Sequence, residues 1–552
     1  MDDSEYSLTV DDDHAFGRGV PRKRRKKRRV VAAIFSEPKE PSSRLAETDA
    51  ETLGNACIFN VLPAAASTGP KTTISYGEPS SSAVLLELVP MRELEASERS
   101  TSDTISSATP ILFSTHVNTL PVEIFSEIFV LCLPDGLPLR SSRREAPLVL
   151  CRICRYWRRI ALSTTELWSS FSSVRTDGKL FAHERIMSMY FHRSNPRPLT
   201  LEVKPMVNST RILRGLLEHV GRWKTLTIKM DKGLATTFAQ MKKPPLLLES
   251  LDVTICFDDV GDEPMEEHEN VPLAIQKMVG LRSLTWQSRN NIPSTFLAIP
   301  LHQLTRLEIL CHLHLADCIS VLSCCQQLVD FTLDCKKPCE VETPLATMIP
   351  RLPNLLNLNV TIYIIDIGKF LEHFNFPALR SLTVSHRRVH TRHDIYAFER
   401  FFIRSRCSLD KLRLHDRYLN QDGLISYLTL PCLQSVRELH VIAAANNRMI
   451  SLLTYPTAQP DHCVISHTEY LLPCLENLSI GPCKTDDGLL AKMLESRVKP
   501  AAGDVPRTFG ASLVKARAVL ARDGKERYPH HKDIAGFRKL LNRELTLYWV
   551  WR

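Results

Sequence analysis

One short phrase recurs along the middle of this chain and constrains its fold more than any other feature. It runs apolar, two variable residues, apolar, one variable residue, apolar. The first three instances are Trp223/Leu226/Ile228, Leu248/Leu251/Val253 and Leu281/Leu284/Trp286. Four more are Leu304/Leu307/Ile309, Leu328/Phe331/Leu333, Leu355/Leu358/Val360 and Leu379/Leu382/Val384. The series closes with Leu409/Leu412/Leu414, Val436/Leu439/Val441 and Leu475/Leu478/Ile480. Successive central residues lie 23 to 39 positions apart, and most of them 23 to 30.

Each phrase ends in strict alternation, as a strand with one buried face does. Helix-length stretches such as Ile212–Val220, Asp317–Cys324 and Ile395–Ser405 lie between phrases. A strand and a return segment of about 25 residues cannot bury their own apolar face, so such units must stack. The phrase and its spacing resemble irregular leucine-rich repeats, whose units run about 20–29 residues. The Asn or Cys that regular members carry after each phrase is mostly missing here. The resemblance implies an irregular α/β solenoid over 197–496. Ten strands roughly 4.8 Å apart give an arc on the order of 45 Å.

Alternation also says which residues face away from the stacked core. They are Thr225, Thr227 and Lys229; Ser283, Thr285 and Gln287; Asp330, Thr332 and Asp334; Asn357, Asn359 and Thr361; and Ser381, Thr383 and Ser385. Later strands contribute Lys411, Arg413 and His415, then Glu438, His440 and Ile442. The early wall reads as small and neutral and the later wall as charged. Polar side chains on an open sheet face can recognise another protein, so Lys411, Arg413, His415, Glu438 and His440 are the candidate target-binding residues. The alternative is a merely solvated wall, with binding left to loops or an end.

Upstream, Leu120 to Phe171 is dense in large apolar residues. As a helix, Leu120–Leu133 carries two adjoining stripes: Leu120, Ile124, Ile128 and Leu131 on one, Phe125, Phe129 and Cys132 on the other. A surface helix of a small domain needs one stripe about a hundred degrees wide. This helix therefore has one face for its own domain and one for a partner, unless it is buried all round. A second helix, Pro147–Ala161, places Leu150, Ile153, Cys154, Trp157 and Ile160 on one face and Arg152, Arg155 and Arg159 opposite. Thr164 to Phe171 adds a capped turn with two more aromatic anchors. So few residues make a poor independent core, and the segment reads as a small helical docking module.

The order Leu120-Pro121-Val122-Glu123-Ile124, Cys151-Arg152-Ile153-Cys154-Arg155-Tyr156-Trp157-Arg158 and Glu166-Leu167-Trp168 resembles the F-box. That resemblance implies an all-α module over 111–176 that binds a Skp-type adaptor and, through it, cullin and RING subunits. It assigns Leu120, Pro121, Ile124 and Ile128 to the adaptor. The module's interior is expected from Phe125, Phe129, Ile153, Trp157 and Trp168.

Residues 1–110 lack durable periodicity and read as a disordered tail, because such a segment cannot bury enough apolar surface to offset its chain entropy. The tail contains eight consecutive cations: Arg22, Lys23, Arg24, Arg25, Lys26, Lys27, Arg28 and Arg29. A block of this kind is a solvated run or a nuclear-import signal. No aromatic residue is interleaved to stack on bases, which argues against nucleic acid. The chain's net charge of +9 over 552 residues is a mild bias spread along its length. Sixteen cysteines without regular spacing, an acidic start and no secretory signal point to free thiols in the nucleus or cytoplasm. No apolar run approaches the roughly 18 residues of a membrane span.

Chemical motifs are sparse. Asp258 to Glu267 is acidic and His386 to His393 basic, both reading as loops; the basic one lacks the second ligand cluster a zinc site needs. Cys151 and Cys154 are read as helix-core residues. Phosphate-loop, metalloprotease and serine-hydrolase signatures are missing from the sequence. The expectation is a multidomain, non-catalytic chain with no cofactor and no metal: disordered tail, all-α F-box-like module, irregular α/β leucine-rich-repeat solenoid, and a C-terminal tail or cap over 497–552 without a repeat phrase. Its expected role is substrate recognition in a Skp–cullin–F-box ubiquitin ligase, with an unknown protein as target. The alternative is a cullin-independent F-box scaffold or nuclear regulator.

Overall fold

The computed structural model describes residues 119–134, 136, 138, 142, 144–173, 181–205, 209–257, 266–334, 349–362, 367–386, 394–416, 419–455, 471–498, 510–521, 530–541 and 545–551. All of them belong to one compact unit, Asn118–Arg552. The basic run 22–29, most of the acidic loop (258–265) and the basic loop beyond His386 (387–393) lie outside the described residues.

Fourteen strands form one sheet in strict chain order, every neighbouring pair parallel. They are β1 Ser170–Ser172, β2 Leu199–Val203, β3 Trp223–Met230, β4 Ser250–Ile255, β5 Ser283–Asn291, β6 Arg306–His312 and β7 Asp330–Asp334. The remainder are β8 Asn357–Ile362, β9 Ser381–His386, β10 Lys411–His415, β11 Glu438–Val441, β12 Asn477–Cys483, β13 Lys515–Leu520 and β14 Thr546–Trp551. The ten phrases of the sequence are β3 to β12. Their central residues pair in register from Leu226 through Leu251, Leu284, Leu307, Phe331, Leu358, Leu382, Leu412 and Leu439 to Leu478. Every one of them is buried. Register is rigid for a physical reason: a slip of one residue would turn each apolar set outward.

The sheet is longer than 197–496 at both ends. At its start, Trp168, Phe171 and Ser173 are a phrase with serine in the last position, and Phe171 pairs with Leu201. The β2 phrase is one residue short, Leu199/Leu201/Val203, and a register irregularity against β3 absorbs the missing residue. At the far end, Leu513/Ala516/Ala518 forms β13 and Leu545/Leu547/Trp549 forms β14. Alanine at two of three apolar positions hid β13 from a search for large side chains. The segment expected as a tail without repeats is thus two further units with a helix, His531–Leu540, between their strands.

Most of the described returns between strands are helical, and several begin on a cap immediately before the first turn. The side chains of Asp231, Asp394, Asn420 and Asn446 accept from the N–H groups of Leu234, Ala397, Gly423 and Met449 at 2.8, 3.0, 2.7 and 2.9 Å. Each cap satisfies one of the amides that a helix start leaves unpaired.

Ahead of β1 stand helices α1 (Val122–Leu131) and α2 (Arg155–Ser163), and α3 (Phe181–Arg193) joins β1 to β2. Phe125 and Phe129 are fully buried, with ring centroids 5.7 and 5.0 Å from Trp157, which is half-buried. Trp168 is also fully buried; its indole donates to the Ala161 carbonyl at 2.8 Å and its ring packs 5.0 Å from Tyr190 of α3. The expected continuous second helix is broken. Leu150–Arg152 is a 3-10 turn, Cys154 takes an extended backbone, and α2 starts afresh with the Cys154 sulfur accepting from Trp157 N–H. The break changes the helical phase, which corrects two expectations: Ile153 is not in the interior but exposed, and Cys154 is an exposed cap rather than a core residue.

Candidate functional site

Two surfaces stand out. The first is an apolar patch on the helical segment ahead of β1. With the stripe of Phe125 and Phe129 facing inward, the other stripe of α1 is exposed: Ile124, Ile128 and Leu131 are 48%, 37% and 83% exposed. Ile153, turned out by the break before α2, is 53% exposed. Leu120 is half-buried, and Pro121 occupies the cap position of α1, exposed. The inner stripe is held by more than packing, since Ser126 and Thr164 share a 3.0 Å hydroxyl hydrogen bond between α1 and the end of α2.

The second surface is the sheet face opposite the buried ladder. One column of side chains crosses all fourteen strands in register: Ser172, Glu202, Thr227, Asp252, Thr285, Glu308, Thr332, Asn359, Thr383, Arg413, His440, Ser479, Arg517 and Tyr548. Acid and threonine alternate over the first half, so the early wall is not neutral. Glu202 bonds to Ser172 and lies 2.8 Å from Lys204. Burial pushes the Asp252 carboxyl up, Glu308 and Glu202 push the same way, and Lys229 opposes them. Alternate strands are about 9.6 Å apart, close enough for half-buried like charges to interact. Asp252 and Glu308 flank Leu251 and Leu307 in the sequence and were legible there by the same alternation that marked the other wall residues.

The later wall is basic. Lys411 and Arg413 of β10 both pair with Glu438 of β11, at 2.8 and 2.9 Å. Burial raises the Glu438 carboxyl, but the bonds from Lys411 and Arg413 outweigh it, and the net shift is downward. The His415 and His440 rings stand 5.0 Å apart, edge to face. Burial lowers both imidazoles; Arg413 lowers them further, and His440 also feels His415 and Arg517, with Glu438 opposing. The five candidate residues are therefore one cluster on two adjacent strands. Lys515 and Arg517 of β13 extend it two strands on; they were hidden with the rest of β13. Asn359, Thr361, Thr383 and Ser385 lead into it along a concavity of about 540 Å³.

Among the described residues no group of three His, Cys, Asp or Glu side chains is placed to hold a metal. Burial pushes the thiols of Cys325, Cys432 and Cys483 up to about 12 and that of Cys407 to about 11. Held protonated, these thiols are poor nucleophiles. No helix among the described residues is long and apolar enough to cross a membrane.

No protein-family model matches the chain, and no curated protein matches it. The functional reading therefore rests on these two surfaces.

Proposed function

We propose that this chain is a non-catalytic substrate receptor of a Skp–cullin–F-box ubiquitin ligase. Its helical segment docks a Skp-type adaptor, and its sheet face binds a protein target. The observation that carries this reading is the exposed stripe of Ile124, Ile128 and Leu131. Soluble proteins seldom leave large side chains contiguous and exposed unless a partner covers them. The motif order around that stripe resembles the F-box, and in that resemblance Leu120, Pro121, Ile124 and Ile128 meet the adaptor. Ubiquitin transfer is then the work of the RING subunit and its enzymes, and the receptor contributes position alone.

The test is affinity of the full chain for a purified Skp-type adaptor. Changing Leu120 and Ile124 together to alanine removes apolar contact worth about 2–4 kcal/mol, at roughly 25 cal/mol per Å². That is tens- to several-hundred-fold in Kd. Because Ile124 is exposed and Leu120 half-buried, far-ultraviolet circular dichroism stays unchanged. Undiminished adaptor binding by the folded variant would sink the reading, and recovery of adaptor without cullin from cells would move it to the scaffold alternative.

A further inference from the structure

The basic end of the sheet face holds more cation than it neutralises. Lys411, Arg413, Lys515 and Arg517 face a single carboxylate among their register partners, Glu438 of β11. The strand between, β12, offers only Asn477 and Ser479 at those positions. Among the described residues, two polar atoms in the cluster are buried without a hydrogen-bond partner: Arg413 Nε and His415 Nε2. A buried polar group left unpaired is destabilising. The other ring nitrogen of His415 lies 3.3 Å from the hydroxyl of Ser385 on β9, which holds the ring in place. Arg413 in turn spends one terminal nitrogen on Glu438 and leaves its Nε for something else.

We propose that this end of the sheet face binds an acidic peptide segment, its carboxylates pairing with Arg413, Lys515 and Arg517. The proposal names the target class for the target-binding half of the reading above, and rests on that reading only in treating the sheet face as the recognition surface. From β9 to β13 the face spans four strand spacings, about 19 Å, the length of about six extended residues. An extended acidic segment crossing the strands thus meets the cations of β10 and β13 in turn. The threonine, serine and asparagine side chains of β8 and β9 supply neutral donors along its approach. The acidic half of the same wall repels such a segment and so sets where it lies.

Fluorescence anisotropy of the full chain with labelled short peptides tests this, using alternating Glu–Ala, Gln–Ala, Lys–Ala and phosphoserine–Ala sequences. The Glu–Ala peptide binds, more weakly as salt rises, and the Gln–Ala and Lys–Ala peptides do not. Arg413→Gln with Arg517→Gln weakens binding roughly tenfold or more, as loss of charge-assisted contacts does. Glu438→Gln frees Lys411 and Arg413 from their internal partner and tightens binding severalfold, a sign that misfolding cannot imitate. Equal binding of the Gln–Ala peptide, or an E438Q variant that binds no better than the parent, overturns the proposal. So does binding of the phosphoserine peptide alone. Adaptor capture by the same preparations reports separately on the α1 patch: its failure with Glu–Ala binding intact overturns the ligase reading and supports this site.

Discussion

Arg497 shows how a single residue can carry a structural role its sequence position disguises. It lies where the repeat series was expected to end, yet its guanidinium is almost completely buried. It donates to the carbonyls of Leu453, Leu471 and Leu472 and lies 4.2 Å over the Tyr455 ring. Arg497→Ala strands several buried carbonyls, each worth about 1–3 kcal/mol; a loss of roughly 3 kcal/mol or more in urea-unfolding free energy is expected, with Arg497→Lys recovering only part. The histidines act through pH instead. Burial, the leading cause in each case, lowers His219, His373, His415 and His440 from about 6.5. A base whose pKa is depressed by folding binds fewer protons folded than unfolded, so stability rises with pH. The contribution is full above about 6.5 and is lost as pH falls toward the depressed values. The unfolding midpoint should decline between pH 7 and pH 5, and replacing His415 and His440 with glutamine should flatten that slope. A midpoint that rises on acidification would contradict it.

At the scale of elements, the joint between β12 and β13 is one place where the stacking tolerates little. β12 bulges between Ile480 and Cys483 against its neighbour. Gly481 makes the bulge with φ of 143°, and a Cβ there would sit 2.5 Å from Val519 Cβ on β13. Gly481→Ala must either strain the backbone or part the two strands. A cost of about 1–3 kcal/mol is expected, the range of overpacked interiors, read as a lower thermal midpoint and as earlier proteolysis after residue 481. Wild-type stability in the variant would show that β13 does not depend on this contact. The helical returns were more legible than this joint, since capping side chains announce themselves in sequence and a bulge does not.

At the scale of the molecule, the helical segment and the sheet are not separable parts. Trp168 is the last landmark of the F-box-like order and, with Phe171, the first apolar pair of the sheet; it locks α2 to α3 while heading β1. Removing the helices would bare the first strand, so the α1 patch and the sheet face are mounted on one continuous body, Asn118–Arg552. The basic run 22–29, earlier in the sequence, is a candidate for nuclear import. Replacing Lys23 to Lys27 with alanine should shift the protein toward the cytoplasm in fractionated cells; an unchanged distribution would remove the run from consideration.

Ten of the strands were determined by the sequence alone, because alternation of large apolar side chains has one physical solution when units are too small to fold singly. So were the two stripes of α1 and the outward facing of Lys411, Arg413, His415, Glu438 and His440, which follows from alternation. Only the tertiary structure decided the remainder. β1, β2, β13 and β14 depart from the phrase by a serine, a missing residue or alanines, and are recruited because a neighbouring strand already offers unpaired backbone and a buried face to complete. Ile153 turned outward because an extended residue at Cys154 reset the helix, a choice made by the cap that one sulfur provides. The acids of the early wall and the arginine of β13 acquired their meaning only when parallel pairing set them in the same column as Arg413, since charge pattern across strands is a property of register and not of order along the chain.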